Sequence, residues 1–356
     1  MEYRCIGSSD LVVSAVGVGG LAFGGWPMGG EQFRPVSDDE GIETIHTALD
    51  IGITCFDTAA SYALGHAEQM LGKALGTHRE NIVVITKCGT SWNDATNSME
   101  RNGTYQHVIE SAEASLYNLQ TDYIDLLLVH WPDLSTPFEE TMSALESLQK
   151  SGKIRYAGVS NFMPEMMQEC RQYVDIIANE ICYSIFDRRI EADIIPFCTS
   201  NEMSVISYGS LGHGLLSGQM TNKESFVSSN WRASGHALGL PLFDQGKHFK
   251  QNILVQDQLR SIAESAGYSL PDVALAWVLQ QDVVACSLVG FENPEQLSTA
   301  VAATDCGLTM DVMNDIESIS TEAFQRMIVD EDLNPTSGHW NPWNRNPSAF
   351  SFGAID

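Results

Sequence analysis

Eight short apolar runs, each followed by a stretch of helical pattern, constrain the fold of this 356-residue chain more than any other feature. The runs are SAVGVGG, ITCFD, NIVVITK, YIDLLLVHW, KIRYAGVSN, VDIIANEI, SVISYGS and VVACSLVG. They are rich in β-branched residues and mostly lack period-two alternation, which marks strands buried on both faces. Amphipathic segments lie between them. SDDEGIETIHTALDIG opens with Ser37 and Glu40 spaced as a capping box and carries Ile42, Ile45 and Leu49 as an apolar stripe. TPFEETMSALESLQKSGK repeats that grammar with Thr136, Pro137 and Glu139 and stops at Gly152, and NPEQLSTAVAA starts with Asn293 and Pro294. Strands alternating with helices require right-handed crossovers and a parallel sheet. The class is α/β. Eight such units close into a (β/α)8 TIM barrel, with a doubly wound open sheet as the alternative.

No boundary interrupts this alternation, so residues 1–330 are expected to form one barrel domain. Two irregular segments stand apart. Residues 219–250, rich in Gly, Ser and Asn, follow the seventh strand as a long loop, and loops of that length are usually functional or disordered. Residues 331–356 form a C-terminal tail that carries Trp340, Trp343, Phe350 and Phe352, too aromatic for an idle disordered end.

Composition excludes several classes. The balance of 19 basic against 46 acidic residues gives a net charge of −27, which repels a phosphate backbone and argues against nucleic acid. The N-terminal MEYRCIGSSDLVV lacks the basic and apolar regions of a signal peptide. No apolar run is long enough to span a bilayer, so no membrane partner is expected. Eight cysteines without a CxxC pair imply reduced thiols and a cytoplasmic location. Neither HExxH spacing nor a Cys/His cluster is present, and no metal is expected.

The polar residues at the strand ends carry the chemistry. In a parallel barrel these ends share one mouth. Strand two delivers Asp57, with Tyr62 just beyond. Strand three delivers Lys87, strand four His130, and strand five Ser160 and Asn161. Singly, each has an ordinary structural reading: a helix cap, a packed ring, a core histidine. Together they form a proton-transfer set. A lysine ammonium beside a phenol is expected to lower its pKa from ~10 and make it a competent acid near neutrality. Asp57 would hold the ammonium, and His130 would orient a carbonyl oxygen. With no nucleophile evident for acyl transfer, the set suits protonation of an oxygen while carbon gains a hydride from a cofactor.

GITCFDTAASYALGHAEQMLGKAL, ITKCG, LQTDYIDLLLVHWPD, GKIRYAGVSNF and ISYGSLGHGLLSG give the chain a close resemblance to the aldo-keto reductases, and nearest to their bacterial sugar- and inositol-associated branch. The resemblance extends from about Tyr3 to Ile319. It implies a barrel that binds a nicotinamide dinucleotide without a Rossmann fold, and a catalytic tetrad of Asp57, Tyr62, Lys87 and His130. Ser160 and Asn161 match residues that hold the nicotinamide carboxamide, and Tyr208 matches the aromatic that stacks on its ring. Ser210, Leu211 and Gly214 fall in the segment that wraps the pyrophosphate, and the loop from Gln219 would cover the cofactor. Gly20, Leu21, Asp57, Gly290, Phe291 and Gln296 complete the expected cofactor set. Gly17 to Ala22 also fits G-x-G-x-x-A, but a Gly- and Pro-bearing loop follows where a Rossmann helix would start, with the first helix near Ser37.

Three departures from the family pattern stand out. Glu180 replaces the usual Gln and can still accept from the carboxamide NH2. Glu292 stands where a small or basic residue often meets the 2′-phosphate of NADP, near the helix start at Asn293 and Pro294. Ala300 replaces an Asn that often touches adenine. An acid at 292 repels a phosphate and suits a ribose hydroxyl, so NAD(H) is expected over NADP(H).

Phe23, Trp26, Trp92 and Trp131 follow strands one, three and four and are expected to line the substrate mouth, fitting a sugar, a polyol or an aromatic aldehyde. Trp340 or Trp343 would close it, in its own chain or in that of a neighbour within a homo-oligomer; the alternative is a tail packed on the side of the barrel. The sequence therefore reads as an NAD(P)(H)-dependent oxidoreductase interconverting a small-molecule carbonyl and an alcohol. Oxidation of an aldose to a lactone is a variant of this reading. A Schiff-base lyase using Lys87 and a non-catalytic cofactor-sensing barrel are the rivals.

Overall fold

The computed structural model describes residues 1–24, 37–93, 95, 98–228, 230–291 and 294–330. The eight apolar runs are eight strands: β1 (Val16–Gly19), β2 (Cys55–Asp57), β3 (Val83–Cys88), β4 (Ile124–Val129), β5 (Ile154–Ser160), β6 (Ile176–Cys182), β7 (Ser204–Tyr208) and β8 (Val284–Val289). Each pairs in parallel with the next, and β8 pairs with β1 through Ser287 to Val16 and Val289 to Val18. The sheet therefore closes, which identifies the (β/α)8 TIM barrel and excludes the open sheet.

Closure sorts each strand's residues into two sets. Cys55, Val83, Ile85, Leu126, Leu128, Ala178, Ile206, Cys286 and Leu288 pack together inside the barrel. Phe56, Val84, Leu127, Val129, Val159, Val205 and Val284 pack outward under the helices. Because both faces are apolar, the period of two is real in the structure but invisible in the hydropathy. β1 contributes Gly17 inside, where a Cβ would lie 2.7 Å from Cys286 Sγ and 2.9 Å from Leu288 Cδ2.

The outer layer runs α1 (Asp38–Asp50), α2 (His66–Leu75), α3 (Tyr105–Leu119), α4 (Phe138–Lys150), α5 (Pro164–Cys170), α6 (Ile194–Ser200), α7 (His248–Ser265), α8 (Leu270–Leu279), α9 (Pro294–Ala302) and α10 (Met310–Asp330). The capping box of α1 forms: Ser37 Oγ accepts from Glu40 N–H, and Glu40 Oε2 accepts from Ser37 N–H. The cap expected at Thr136 does not. Asp133 claims that hydroxyl at 2.7 Å, together with the Ser135 hydroxyl and the N–H groups of Gly103 and Ser135, and Pro137 takes the cap position.

Three local elements escape a reading by periodicity. Tyr3–Cys5 and Val12–Ser14 form an antiparallel hairpin. Its Ile6, Leu11 and Val13 join the interior cluster, while Arg4 bonds Val284 O and Gly7 bonds Ser204 Oγ, both at strand starts. The hairpin thus plugs the N-terminal end of the barrel. A second hairpin, Thr90–Asn93 with Ser98–Arg101, follows β3. A single helical turn, Leu21–Gly24, follows β1 ahead of the helix expected first near Ser37. The loop after β7 ends at Lys247 rather than Lys250, since α7 starts at His248. Among the described residues no helix is long and apolar enough to cross a membrane.

Gly17→Ala should destabilise the fold by about 1–3 kcal/mol, because β8 side chains already fill the space. Urea unfolding checks this, and adding Cys286→Ala should recover part of the loss.

Candidate active site

The interior set of each strand ends in a polar residue at the C-terminal mouth. Asp57 continues Cys55, Lys87 continues Val83 and Ile85, His130 continues Leu126 and Leu128, Glu180 continues Ala178, and Tyr208 continues Ile206. These residues form the top layer of the barrel interior, and alternation along the strands places them there. Gly20 follows β1. Its N–H donates to Asp57 O at 2.7 Å, and a Cβ at this position would sit 2.6 Å from the same oxygen, so glycine permits the close approach.

Lys87 is buried at the centre. Its ammonium lies 2.5 Å from Asp57 Oδ2, 3.0 Å from the Thr58 carbonyl oxygen and 3.3 Å from Glu180 Oε1. Its Nζ is 5.1 Å from the centre of the Tyr62 ring. Burial opposes its charge, but Asp57 and Glu180 outweigh burial and hold its pKa above the ordinary lysine value. Both carboxyls are in turn raised, first by burial; for Glu180 the neighbouring Asp57 adds to the effect. Glu180 Oε2 is buried with no hydrogen-bond partner among the described residues.

Tyr62 opens a tight turn in which Ala63 (φ 46°) and Leu64 (φ 54°) are both left-handed, a conformation that costs non-glycine residues about 1–2 kcal/mol each. The turn packs Tyr62 with Ala59, Ala67 and Leu21. Its pKa corrects the expectation from sequence. Burial raises the phenol above its ordinary value, Lys87 lowers it only in part, and Asp57 and Glu180 raise it further. With two acids on the ammonium, too little net positive charge remains to offset burial. The Tyr62 ring meets His130 edge-on at 5.8 Å. His130 Nδ1 faces Ser61 Oγ at 3.4 Å. The surrounding protein and Lys87 push the imidazole well below its ordinary pKa, so it is neutral at physiological pH.

The remaining expected residues fall around this centre. Ser160 Oγ donates to Glu180 O, and Asn161, left-handed at φ 65°, donates to His130 O and Ser160 Oγ. Tyr208 donates to Asn161 Oδ1 at 2.7 Å. Ser210 is tied to β7 and β8 through the Ser207 and Ser287 hydroxyls, which fixes the start of the segment bearing Leu211 and Gly214. Gly290 and Gln296 are exposed. Phe291 is buried in the core. Trp131 stacks on His130 at 6.3 Å, the Arg101 guanidinium lies over the Trp131 ring 5.6 Å from its centre, and Trp92 is half-buried on the hairpin after β3. Phe23 lies in the turn Leu21–Gly24. Trp26, Glu292, Trp340 and Trp343 lie outside the described residues.

Ser61, the Thr58 carbonyl and Glu68 were missed. Glu68 is buried and accepts from Thr86, which precedes Lys87, and from Asn118. A lone polar residue in a turn or on a helix face carries no periodic signal, so only the packed structure exposes these three. The loop after β7 was expected to cover the cofactor. It is anchored: Arg232 donates to His213 O, Arg189 donates to Leu238 O, and the loop's Phe226, Trp231 and Phe243 cluster with Phe249 of α7.

A nicotinamide dinucleotide fits this mouth. Glu180 offers a buried, unpartnered oxygen, and Ser160 and Asn161 offer amide- and hydroxyl-matching groups beside it. Gly209, Gly212, His213 and Gly214 all have left-handed backbone (φ 65°, 57°, 55° and 98°), a run of turns of the kind that forms anion-binding concavities.

The comparisons agree with this geometry. Residues 20–321 match the aldo/keto reductase family, and the chain belongs to that family. It is 34% identical to the aldo-keto reductase YhdN of Bacillus subtilis (strain 168) over 94% of this chain and 98% of that protein. It is 32% identical to an NADH-specific methylglyoxal reductase of Escherichia coli (strain K12), over 85% of this chain and 94% of that protein. The solved glycerol dehydrogenase AKR11B4 of Gluconobacter oxydans superposes with a TM-score of 0.81 at 33% identity, covering 90% of this chain and 95% of that one. The protein is an NAD(P)-dependent oxidoreductase of carbonyl and alcohol groups.

Replacing Glu180 by Gln removes one of two coupled carboxyls. Their folded pKa values are raised, so the folded state retains protons that the unfolded chain has lost, and stability falls as pH rises above the ordinary carboxylate value of 4.5. The Gln variant should therefore gain thermal stability over the parent progressively as pH rises above 4.5, read as a widening difference in Tm.

Proposed function

We propose that this enzyme interconverts a sugar or polyol carbonyl and its alcohol with Tyr62 as the proton donor and acceptor, preferring NAD(H) to NADP(H). The observation that carries this reading is the meeting of Asp57, Tyr62, Lys87 and His130 at the ends of consecutive barrel strands. A bound nicotinamide supplies or accepts the hydride at the carbonyl carbon. Neutral His130 can donate a hydrogen bond to the carbonyl oxygen and orient it. Tyr62, held as a neutral phenol, yields its proton to the more basic alkoxide that forms as carbon gains the hydride. Lys87, kept charged by Asp57, lies behind the phenol and favours the phenolate left by that transfer, while Asp57 and Glu180 offset part of that effect.

The lyase reading loses support from the same geometry, because a charged lysine engaged by three oxygens has no free electron pair for a carbonyl. The preference for NAD(H) rests on Glu292, whose carboxylate repels a 2′-phosphate, and the NADH-specific relative supports it. The glycerol dehydrogenase neighbour supports a polyol substrate, as do the half-buried Trp92 and Trp131.

Tyr62→Phe should lower kcat by about 10²–10⁴ while leaving NADH binding, followed by tryptophan quenching, within about twofold of the parent. Full turnover by this variant would overturn the assignment, as would absence of turnover by the parent on aldehydes, ketones, sugars and polyols alike. In the same titration NADH should bind more tightly than NADPH, and Glu292→Arg should narrow the gap. Because His130 is held neutral, the rate of carbonyl reduction should show no inflection near pH 6.5.

A further inference from the structure

We propose that Asp57 and Glu180 act together as a proton-releasing counter-ion, so that the oxidised nicotinamide enters as one proton leaves, whereas the reduced form enters without proton exchange. This rests on the functional reading above, since it requires the cofactor ring to lie at the tetrad. The ring must approach within bonding reach of the carbon whose oxygen exchanges a proton with Tyr62. With the carboxamide contact expected of Glu180, its charge would then lie beside the Lys87 cluster.

Two carboxyls and one ammonium share the cluster. Lys87 Nζ is 2.5 Å from Asp57 and 3.3 Å from Glu180, and all three side chains are buried. With both acids ionised the cluster would carry a net negative charge in a low dielectric, which is costly. One retained proton makes it neutral. Glu180 Oε2 has no hydrogen-bond partner among the described residues, and its carboxyl lies against that of Asp57, so the two acids share the retained proton when no cation is present. The groups that face Glu180 do not supply another counter-charge. Asp57 and Cys55 face it from β2, Tyr62 from the turn beyond β2, and Tyr208 from β7; each is neutral or acidic. Ser160 on β5 pairs with Glu180 in register and is neutral. Among the described residues that face it, Lys87 on β3 is the cation, and it already serves Asp57. A second positive charge from the oxidised ring makes full ionisation of the pair favourable, and one proton goes to solvent. The cluster and ring together stay neutral. Glutamine at 180 could not do this, because it has no proton to release and no charge to present.

Calorimetric titration of the purified chain with NAD+ and with NADH, in two buffers of different ionisation enthalpy near neutral pH, counts the protons directly. The parent should release about one proton with NAD+ and none with NADH. Its NAD+ affinity should rise by up to about tenfold per pH unit while NADH affinity stays level. In Glu180→Gln the release should vanish and the NAD+/NADH affinity ratio should fall about tenfold. In Tyr62→Phe the release should persist, which separates the pair from the phenol. A parent that binds NAD+ without proton release overturns the proposal without any variant. Release unchanged in Glu180→Gln, or lost in Tyr62→Phe, overturns it as well. Failure of the parent to bind either form overturns the functional reading, and the proposal falls with it.

Discussion

Closure of eight parallel strands into one barrel imposes the constraint on which the rest depends. Once β8 pairs with β1, every second residue of each strand points into a common interior, and the last interior position of each strand borders the mouth. The interior is filled below by Leu126, Leu128, Ile85 and Ile206 and plugged by the N-terminal hairpin. Its top layer is free to be polar. Asp57, Lys87, His130, Glu180 and Tyr208 occupy that layer for the same geometric reason that Cys55 and Val83 occupy the layers beneath. Strands buried on both faces hold these side chains rigidly, which proton and hydride transfer require of the groups that align them.

Within that layer electrostatics decides the chemistry. A buried ammonium is tolerated because three oxygens surround it, and two buried acids are tolerated because they face the ammonium. The arrangement is self-consistent only as a unit. It also explains why Tyr62 is a weaker acid than a lysine neighbour alone would make it: the positive charge is already balanced before the phenol senses it. Such a phenol suits donation to an alkoxide. Oxidation of an alcohol needs the phenolate instead, and the added charge of the oxidised cofactor then becomes part of the site's acid–base balance.

Much of this was legible in the sequence, and the pieces that were not share a physical cause. The eight strands, their parallel arrangement and the capping box at Ser37 follow from local pattern. Asp57, Tyr62, Lys87 and His130 could be named because each ends or follows an apolar run. The two hairpins and the turn Leu21–Gly24 could not, being too short for a periodic signal to accumulate. The Thr136 cap failed because Asp133, three residues away, competed for the hydroxyl.

The chain by itself determined the number and order of the barrel strands and which side chains stand at their ends, because those are properties of short segments and their periodicity. Tertiary structure alone decided what these side chains became. Lys87 meets Asp57, Thr58 and Glu180 across three strands, Ser61 reaches His130, and Asn161 is held by Tyr208. Proton affinity in a buried site depends on distances of a few ångströms and on the exclusion of water, and neither exists until the barrel has closed.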